Sequence, residues 1–174
     1  GWYRTEFEVP QFTDGKRATI LFDGAMSHAK VYVNGQEVGY WPYGYNSFYF
    51  DITKQLIPGK KNTLAVRLEN LPESSRWYPG AGLYRNVHVV TTEKIHVPVW
   101  GTQITTPCVK DEYASVCLRT TILNAEKTEL TVVTDIMDAD GQVVSTKTNK
   151  GVINHGQPFT QNFIVERPKL WSPE

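Results

Sequence analysis

The sequence predicts an all-β protein made of two antiparallel β-sandwiches. Nearly every periodic segment alternates polar and apolar residues, and no segment keeps a helical 3.6-residue period over a full window. Gly, Pro, Asn and Asp separate these segments at intervals of roughly the 8–12 residues typical of a sandwich. Aromatic residues, which favour strands, make up 12% of the chain.

The first set of strands occupies about the first 90 residues. One face of the opening segment, YRTEFEVP, carries Tyr3, Thr5, Phe7 and Val9. In AKVYVNGQEVGYW, the pair Asn34-Gly35 predicts a type I′ hairpin turn. The other strand-like segments are RATILFDG, NSFYFDIT, NTLAVRLEN and YRNVHVV, and DITKQLIPG is compatible with a short helical turn.

The second set of strands begins near Ile95, so we place the domain boundary near Thr91–Lys94. Its segments are HVPVWGTQITTP, ASVCLRTTILN, ELTVVTDIMDADGQVVSTKTN and PFTQNFIVERP. DADGQ resembles part of a calcium loop, but Ile136 and Lys147 stand where the first and last acidic ligands would be. We therefore interpret Asp140-Gly141 as a hairpin turn and predict no metal site.

The two cysteines, Cys108 and Cys117, are predicted to be free thiols, because two cysteines are too few for a disulfide scaffold. If the inward face of the strand ASVCLRTTILN carries Val116, Leu118, Thr120 and Ile122, Cys117 points outward, and Cys108 lies just after Pro107 at a strand end.

Charge and hydropathy argue against two classes of partner. Lys and Arg number 18, as do Asp and Glu, so the formal net charge is zero and predicts no nucleic-acid partner. No apolar run approaches the roughly 20 residues of a membrane span, so no membrane partner is predicted. The opening GWYRTEFEVP lacks the basic and apolar regions of a signal peptide, but a signal could have been removed from it, so the compartment (bacterial periplasm or cytoplasm) stays open.

No catalytic apparatus is recognisable. The chain has no G-x-S-x-G, no P-loop and no dinucleotide-binding glycine pattern, so we predict no cofactor. Glycoside hydrolysis usually needs two facing carboxylates. The acidic residues are dispersed, and we interpret Asp23, Asp51, Asp135 and Asp138 as turn-forming or solvent-exposed. We therefore assign no catalytic residue.

The stretch SSRWYPGAGLYRNVHVV contains the candidate binding residues Arg76, Trp77 and Tyr78. Aromatic rings can bind the C–H face of a sugar, and Arg can donate two hydrogen bonds to hydroxyls or to a carboxylate. The alternative is structural: the two rings fill the end of the sandwich, and Arg76 pairs with an acid. A second aromatic segment, GYWPYGYNSFYF, allows the same two interpretations.

The chain resembles the non-catalytic N-terminal part of glycoside hydrolase family 2, and most closely its bacterial β-galactosidases. The stretches that carry the resemblance are GWYRTEFEVP, DGAMSHAKVYVNGQEVGYWPYGYNSFYFDIT, GKKNTLAVRLEN, SRWYPGAGLYRNVHV and RPKLWSPE. The resemblance implies a jelly-roll, galactose-binding-like sandwich over residues 1–93 and an immunoglobulin-like sandwich over residues 94–174.

The resemblance also implies a role in a retaining β-galactosidase. The catalytic (β/α)₈ barrel of the same protein would follow Glu174, and a further segment would precede Gly1. Arg76 and Trp77 would lie nearest the β-galactoside, although some relatives have an Asp at or near the Ser75-Arg76 position. Arg85 would tether its strand to a carboxylate.

Two other functions stay open. The chain could be a stand-alone carbohydrate-binding or adhesive module, or the same front end of a β-glucuronidase or β-mannosidase. Assembly into a homo-oligomer is also left open by the sequence.

Overall fold

A computed structural model describes residues 1–11, 15–123, 128–152 and 158–173. These residues form twelve β-strands and no α-helix, which confirms the predicted all-β class. The chain divides into two compact units, Gly1–Lys94 and Ile95–Glu174. Asn124 and Glu174, which end two of the sequence segments named above, lie outside the described residues.

The first unit contains seven strands in two sheets. They are β1 (Trp2–Glu8), β2 (Arg17–Phe22), β3 (Ala29–Val33), β4 (Gln36–Trp41), β5 (Phe48–Asp51), β6 (Lys61–Arg67) and β7 (Val87–Thr92). One sheet has the order β1-β6-β3-β4 and the other has the order β5-β2-β7. All pairs are antiparallel, as expected for strands joined by hairpins and short crossovers.

The core of the first unit follows from the period-two pattern. Ile20 and Phe22 of β2 are fully buried, and so are Val31 and Val33 of β3 in the other sheet. Phe48 stacks on Phe22 with ring centroids 4.8 Å apart. Residues from both sheets therefore meet in one apolar layer, which fixes the loops at its ends.

Strand β1 is an edge strand, and its inward face is only partly covered. Val9 is buried beyond its end and Phe7 packs against the core, as predicted. Tyr3 and Thr5 instead line an open apolar groove of about 200 Å³, together with residues of β6 and Leu83. On this face, burial therefore increases from the exposed Tyr3 and Thr5 to the half-buried Phe7 and the buried Val9.

The Asn34-Gly35 turn is confirmed. Both residues have positive φ angles, 50° and 80°, which is the signature of a type I′ turn, and Val33 pairs with Gln36 across it. The predicted helical turn near Ile52 is also present as a single turn, in which Leu56 N donates to Ile52 O at 3.2 Å.

The second unit contains five strands, β8 (Thr102–Val109), β9 (Tyr113–Thr121), β10 (Glu129–Met137), β11 (Val143–Val152) and β12 (Pro158–Glu166). They form a three-stranded sheet, β12-β9-β8, and a two-stranded sheet, β10-β11. Its small core includes Leu118, Ile122 and Phe163, and a buried Gln161 whose side-chain oxygen accepts a hydrogen bond from Thr134 Oγ1 at 2.7 Å.

The turn between β10 and β11 agrees with the sequence prediction. Gly141 has a φ of 78°, and Asp138 Oδ1 accepts hydrogen bonds from the backbone N–H groups of Asp140 and Gln142 at 3.0 and 2.9 Å. Lys169 Nζ lies 3.4 Å from Asp138 Oδ2. The Asp138 carboxylate thus closes its own turn.

Both cysteines are free and half-buried. In the β8–β9 register Cys108 lies opposite Ser115 and Cys117 opposite Thr105, so the two thiols do not face each other. Of the residues predicted to share the inward face, Leu118, Thr120 and Ile122 are buried, whereas Val116 is half-buried, like Cys117, which was predicted to point outward.

Candidate functional site

Strand direction brings two aromatic loops together at one end of the first unit. Strands β4 and β6 both pair antiparallel with β3, so they run in the same direction and end at the same edge of their sheet. The loop after β4 (residues 42–47) and the loop after β6 (residues 68–86) therefore leave the sandwich side by side.

Tyr45 and Trp77 join these loops. Trp77 Nε1 donates a hydrogen bond to the Tyr45 hydroxyl at 2.7 Å, and the two ring centroids are 6.3 Å apart with a 55° tilt. Tyr43 meets Tyr45 edge-on at 5.6 Å. Three aromatic rings from two loops thus form one surface cluster.

The backbone of the second loop is pinned on both sides of the cluster. Ser75 Oγ donates to Trp77 O at 2.8 Å. Gly82 exchanges two backbone hydrogen bonds with Met26, at 3.0 and 3.1 Å. Gly82 has a φ of 117°, and a Cβ there would lie 2.6 Å from the Tyr3 hydroxyl, so this position accepts only glycine.

The three candidate binding residues are all on the surface. Trp77 is 61% exposed and Tyr78 is 93% exposed, so the core-filling interpretation is wrong for both rings within this unit. Trp77 and Tyr78 line a cleft of about 290 Å³ together with residues 70–75 and Pro79, whereas Arg76 does not line it. Arg76 is exposed and forms no ion pair with any described residue, so the expected partner acid is not found in the described chain.

The second aromatic segment has two parts. Trp41 and Phe48 stack with centroids 5.6 Å apart and contribute to the core. Tyr40, Tyr43 and Tyr45 are exposed. Neither the core-filling interpretation nor the ligand interpretation therefore applies to the whole segment.

The carboxylate tether expected for Arg85 is not found among the described residues. The Arg85 guanidinium lies over the ring of Tyr84, 5.5 Å from the centroid. The Tyr84 hydroxyl donates to Gly44 O at 2.7 Å. Arg85 therefore supports a tyrosine that holds the loop carrying Tyr45.

The four predicted non-catalytic aspartates have structural partners. Asp23 lies 3.1 Å from His88, and Asp51 Oδ1 accepts from Thr53 N at 2.8 Å. Asp135 Oδ1 accepts from the Thr146 hydroxyl at 2.8 Å, and Asp138 closes its turn. The predicted turn-forming role is confirmed for Asp51 and Asp138 and the predicted exposure for Asp135, whereas Asp23 is half-buried beside His88.

Family models match the two units separately. The model described as "Glycosyl hydrolases family 2, sugar binding domain" matches residues 1–93, and the one described as "Glycosyl hydrolases family 2" matches residues 95–174. The chain belongs to glycoside hydrolase family 2. It corresponds to the N-terminal, non-catalytic part of family 2 glycosidases, and the predicted boundary after residue 93 lies one residue from the division between the compact units.

Two curated relatives illustrate the match within family 2. The β-galactosidase BoGH2A of Bacteroides ovatus is 41% identical over 98% of this chain. A β-glucuronidase of Formosa agariphila is 31% identical, also over 98% of this chain. The chain covers 21% and 20% of these two proteins, so it spans about a fifth of the length of these relatives.

Solved structures give the same family. A family 2 member from Bacteroides cellulosilyticus superposes with a TM-score of 0.88 at 32% identity, covering 98% of this chain and 24% of that one. A β-glycosidase from Bacteroides vulgatus has a TM-score of 0.87 at 31% identity and covers 99% of this chain and 22% of that one. Within the described residues, no helix has the length and apolar character to cross a membrane.

Sequence reasoning found Trp77 but missed its hydrogen-bond partner. Tyr45 belongs to the other aromatic segment, 32 residues away. The strand order contains the missing signal, since β4 and β6 flank the same strand and must end at the same edge.

Among the described residues no group of three His, Cys, Asp or Glu could hold a metal ion.

Proposed function

We propose that this chain is the N-terminal accessory part of a retaining β-galactosidase, and that Arg76, Trp77 and Tyr78 form one wall of its substrate pocket. The catalytic barrel of the same protein would supply the two carboxylates. The observation that carries this proposal is the exposed indole of Trp77, held by a hydrogen bond at the loop end of a family 2 sugar-binding domain.

An apolar ring in contact with water is unfavourable in free energy. A ligand that covers the ring removes this contact with water, so binding is favoured. On the surface of most monomeric proteins, exposed apolar residues are scattered singly. Here the rings of Tyr43, Tyr45 and Trp77 lie together, and such clusters mark binding surfaces. The C–H face of a galactoside fits a flat indole, and the Arg76 guanidinium next to it in sequence can donate to sugar hydroxyls.

The test is Trp77→Ala in the full-length enzyme. We expect kcat/KM for a chromogenic β-galactoside to fall about tenfold or more, the equivalent of about 1.4 kcal/mol of transition-state binding. Melting temperature should change little, because the side chain is 61% exposed. Unchanged kcat/KM with a lowered melting temperature would show that the ring is structural.

A matched control is Trp2→Ala. Trp2 is 62% exposed and, like Trp77, contacts one aromatic neighbour, with its ring centroid 5.6 Å from that of Tyr32. It lies on β1 rather than on the loops of the cluster, so kcat/KM should stay within about twofold of wild type. An equal loss in both variants would argue for a general effect of removing surface tryptophans.

A β-glucuronidase is the second candidate. Arg76 is exposed and unpaired among the described residues, so it can receive the carboxylate of a glucuronide in a two-hydrogen-bond pair. Comparing chromogenic galactoside and glucuronide on the full-length enzyme separates the two. Under the glucuronidase proposal, Arg76→Gln would reduce glucuronide turnover far more than galactoside turnover.

A further inference from the structure

The hydrogen bond between Trp77 and Tyr45 limits what the indole can offer a ligand. Nε1–H is the single polar group of a Trp side chain and can only donate. It is already used, at 2.7 Å, by the Tyr45 hydroxyl. Trp77 is therefore left with its apolar face, so hydrogen bonding next to it must come from another group.

The Tyr45 hydroxyl can supply that hydrogen bond. A phenol both accepts and donates, and here its acceptor role is filled by Trp77. Among the described residues its own proton has no acceptor. Accepting one hydrogen bond strengthens a hydroxyl as a donor, because the two bonds polarise each other.

Contacts below the ring hold the Tyr45 hydroxyl in place. Tyr43 packs edge-on against the Tyr45 ring at 5.6 Å. The neighbouring Gly44 carbonyl accepts from the Tyr84 hydroxyl at 2.7 Å, which ties this loop to the last part of the loop that carries Trp77. A donor fixed before the ligand arrives loses little conformational entropy on binding.

We propose that Tyr45 is a further sugar-binding residue of the same site. Its hydroxyl orients the Trp77 indole and donates its own hydrogen to an oxygen of the glycoside that lies on the indole face. This assignment rests on the proposed function, and its ligand class is a β-glycoside. It gives the site a polar donor on loop 42–47 in addition to the apolar wall on loop 68–86.

Tyr45→Phe in the full-length enzyme tests this directly. We expect kcat/KM for the chromogenic galactoside to fall about tenfold, since one hydrogen bond to substrate and one to Trp77 are lost. Tyr40→Phe is the matched control, because Tyr40 is 45% exposed, like Tyr45 at 44%, but lies on β4 outside the two loops and makes no hydrogen bond through its hydroxyl to any described residue. That variant should stay within about twofold of wild type.

A double-mutant cycle separates direct contact from mere positioning. Trp77→Phe keeps an aromatic face but removes the N–H. If Tyr45 donates to the sugar, Tyr45→Phe should still reduce kcat/KM about threefold in the Trp77→Phe background. Complete disappearance of the Tyr45 effect in that background would overturn the direct contact, and so would a Tyr45→Phe enzyme equal to wild type. The cycle compares Trp77→Phe with the double variant Trp77→Phe/Tyr45→Phe. A small folding defect caused by Trp77→Phe is present in both and therefore cancels from the ratio of their kcat/KM values.

Trp77→Ala measured in parallel distinguishes this failure from failure of the proposed function. A large loss for Trp77→Ala with none for Tyr45→Phe rejects the Tyr45 assignment alone. No loss for either variant rejects the substrate wall and the Tyr45 assignment together.

Discussion

Asn62 accepts a hydrogen bond from Asn34, with Asn34 Nδ2 2.8 Å from Asn62 Oδ1. Asn34 forms the tight turn between β3 and β4, and Asn62 is only 1% exposed at the start of β6. The same Asn62 side chain accepts from Ile57 N at 2.8 Å and donates to the carbonyls of Ile57 and Lys60. One buried amide therefore joins a hairpin turn to the loop before β6.

Asn62→Ala should destabilise the protein by about 3 kcal/mol. The substitution removes four part-buried hydrogen bonds of the Asn62 side chain, to Asn34, to the N–H and carbonyl of Ile57 and to the carbonyl of Lys60, each worth about 0.5–1.5 kcal/mol. Urea unfolding measures the change. Asn46→Ala, at an exposed position, is the control and should stay within about 0.5 kcal/mol. An Asn62→Ala protein as stable as the control would contradict the structural role.

Acid should weaken the β10–β11 turn through Asp138. The hydrogen bond from the Gln142 backbone N–H is the largest cause that lowers the pKa of Asp138 below its ordinary value of 3.8; burial opposes it, and Lys169 and the Asp140 N–H lower the pKa further. A carboxyl with a lowered pKa stabilises the fold above its unfolded pKa, and this contribution is lost as pH falls through the folded pKa. Thermal unfolding from pH 7 to about pH 2 should show it.

Two variants make the Asp138 test specific. In Asp138→Asn the acid-dependent part of the fall in Tm should shrink, because no charge is left to titrate. Lys169→Met should keep part of the pH dependence, since the Gln142 N–H, the largest single cause of the lowered pKa, remains. A wild-type profile that coincides with that of Asp138→Asn at every pH would refute the assignment.

Residues 1–174 alone should hydrolyse no β-galactoside and bind simple sugars weakly. A retaining site needs two carboxyl groups about 5 Å apart, whereas Asp23, Asp51 and Asp138 are engaged in turns and side-chain pairs. An open surface also buries too little of a sugar to offset the entropy of capture. Turnover of a chromogenic galactoside by the purified piece, free of contaminating enzyme, would falsify this.

Cys108 and Cys117 should both titrate as thiols in the denatured, unreduced protein. In the structure they face Ser115 and Thr105 rather than each other, and a disulfide needs Cα atoms within about 7 Å with converging Cβ directions. Thiol reagent should therefore count two groups per chain. A count of zero in a monomer would show that they pair.

Local features of the fold were predictable from the sequence, whereas the assembly of the site was not. The Asn34-Gly35 turn follows from two residues whose backbone tolerates positive φ. The contact between Tyr45 and Trp77 depends on strand order, which alternation alone does not encode. The partner of Arg85 was not predictable, because an arginine near a strand has many available partners and an aromatic face is one of them.

The position of β2 in its sheet has a consequence for synthesis on the ribosome. β2 is the central strand, and its Phe22 pairs with Val87, which is made 65 residues later. At about 5–20 residues per second, the ribosome takes roughly 3–13 s to cover that distance. Throughout that interval an emerging nascent chain carries the apolar face of Ile20 and Phe22 on a strand that lacks one neighbour. A ribosome stalled before Thr92 therefore carries a nascent chain whose β2 lacks its β7 partner and exposes apolar side chains. Exposed apolar surface of this kind is what chaperones bind.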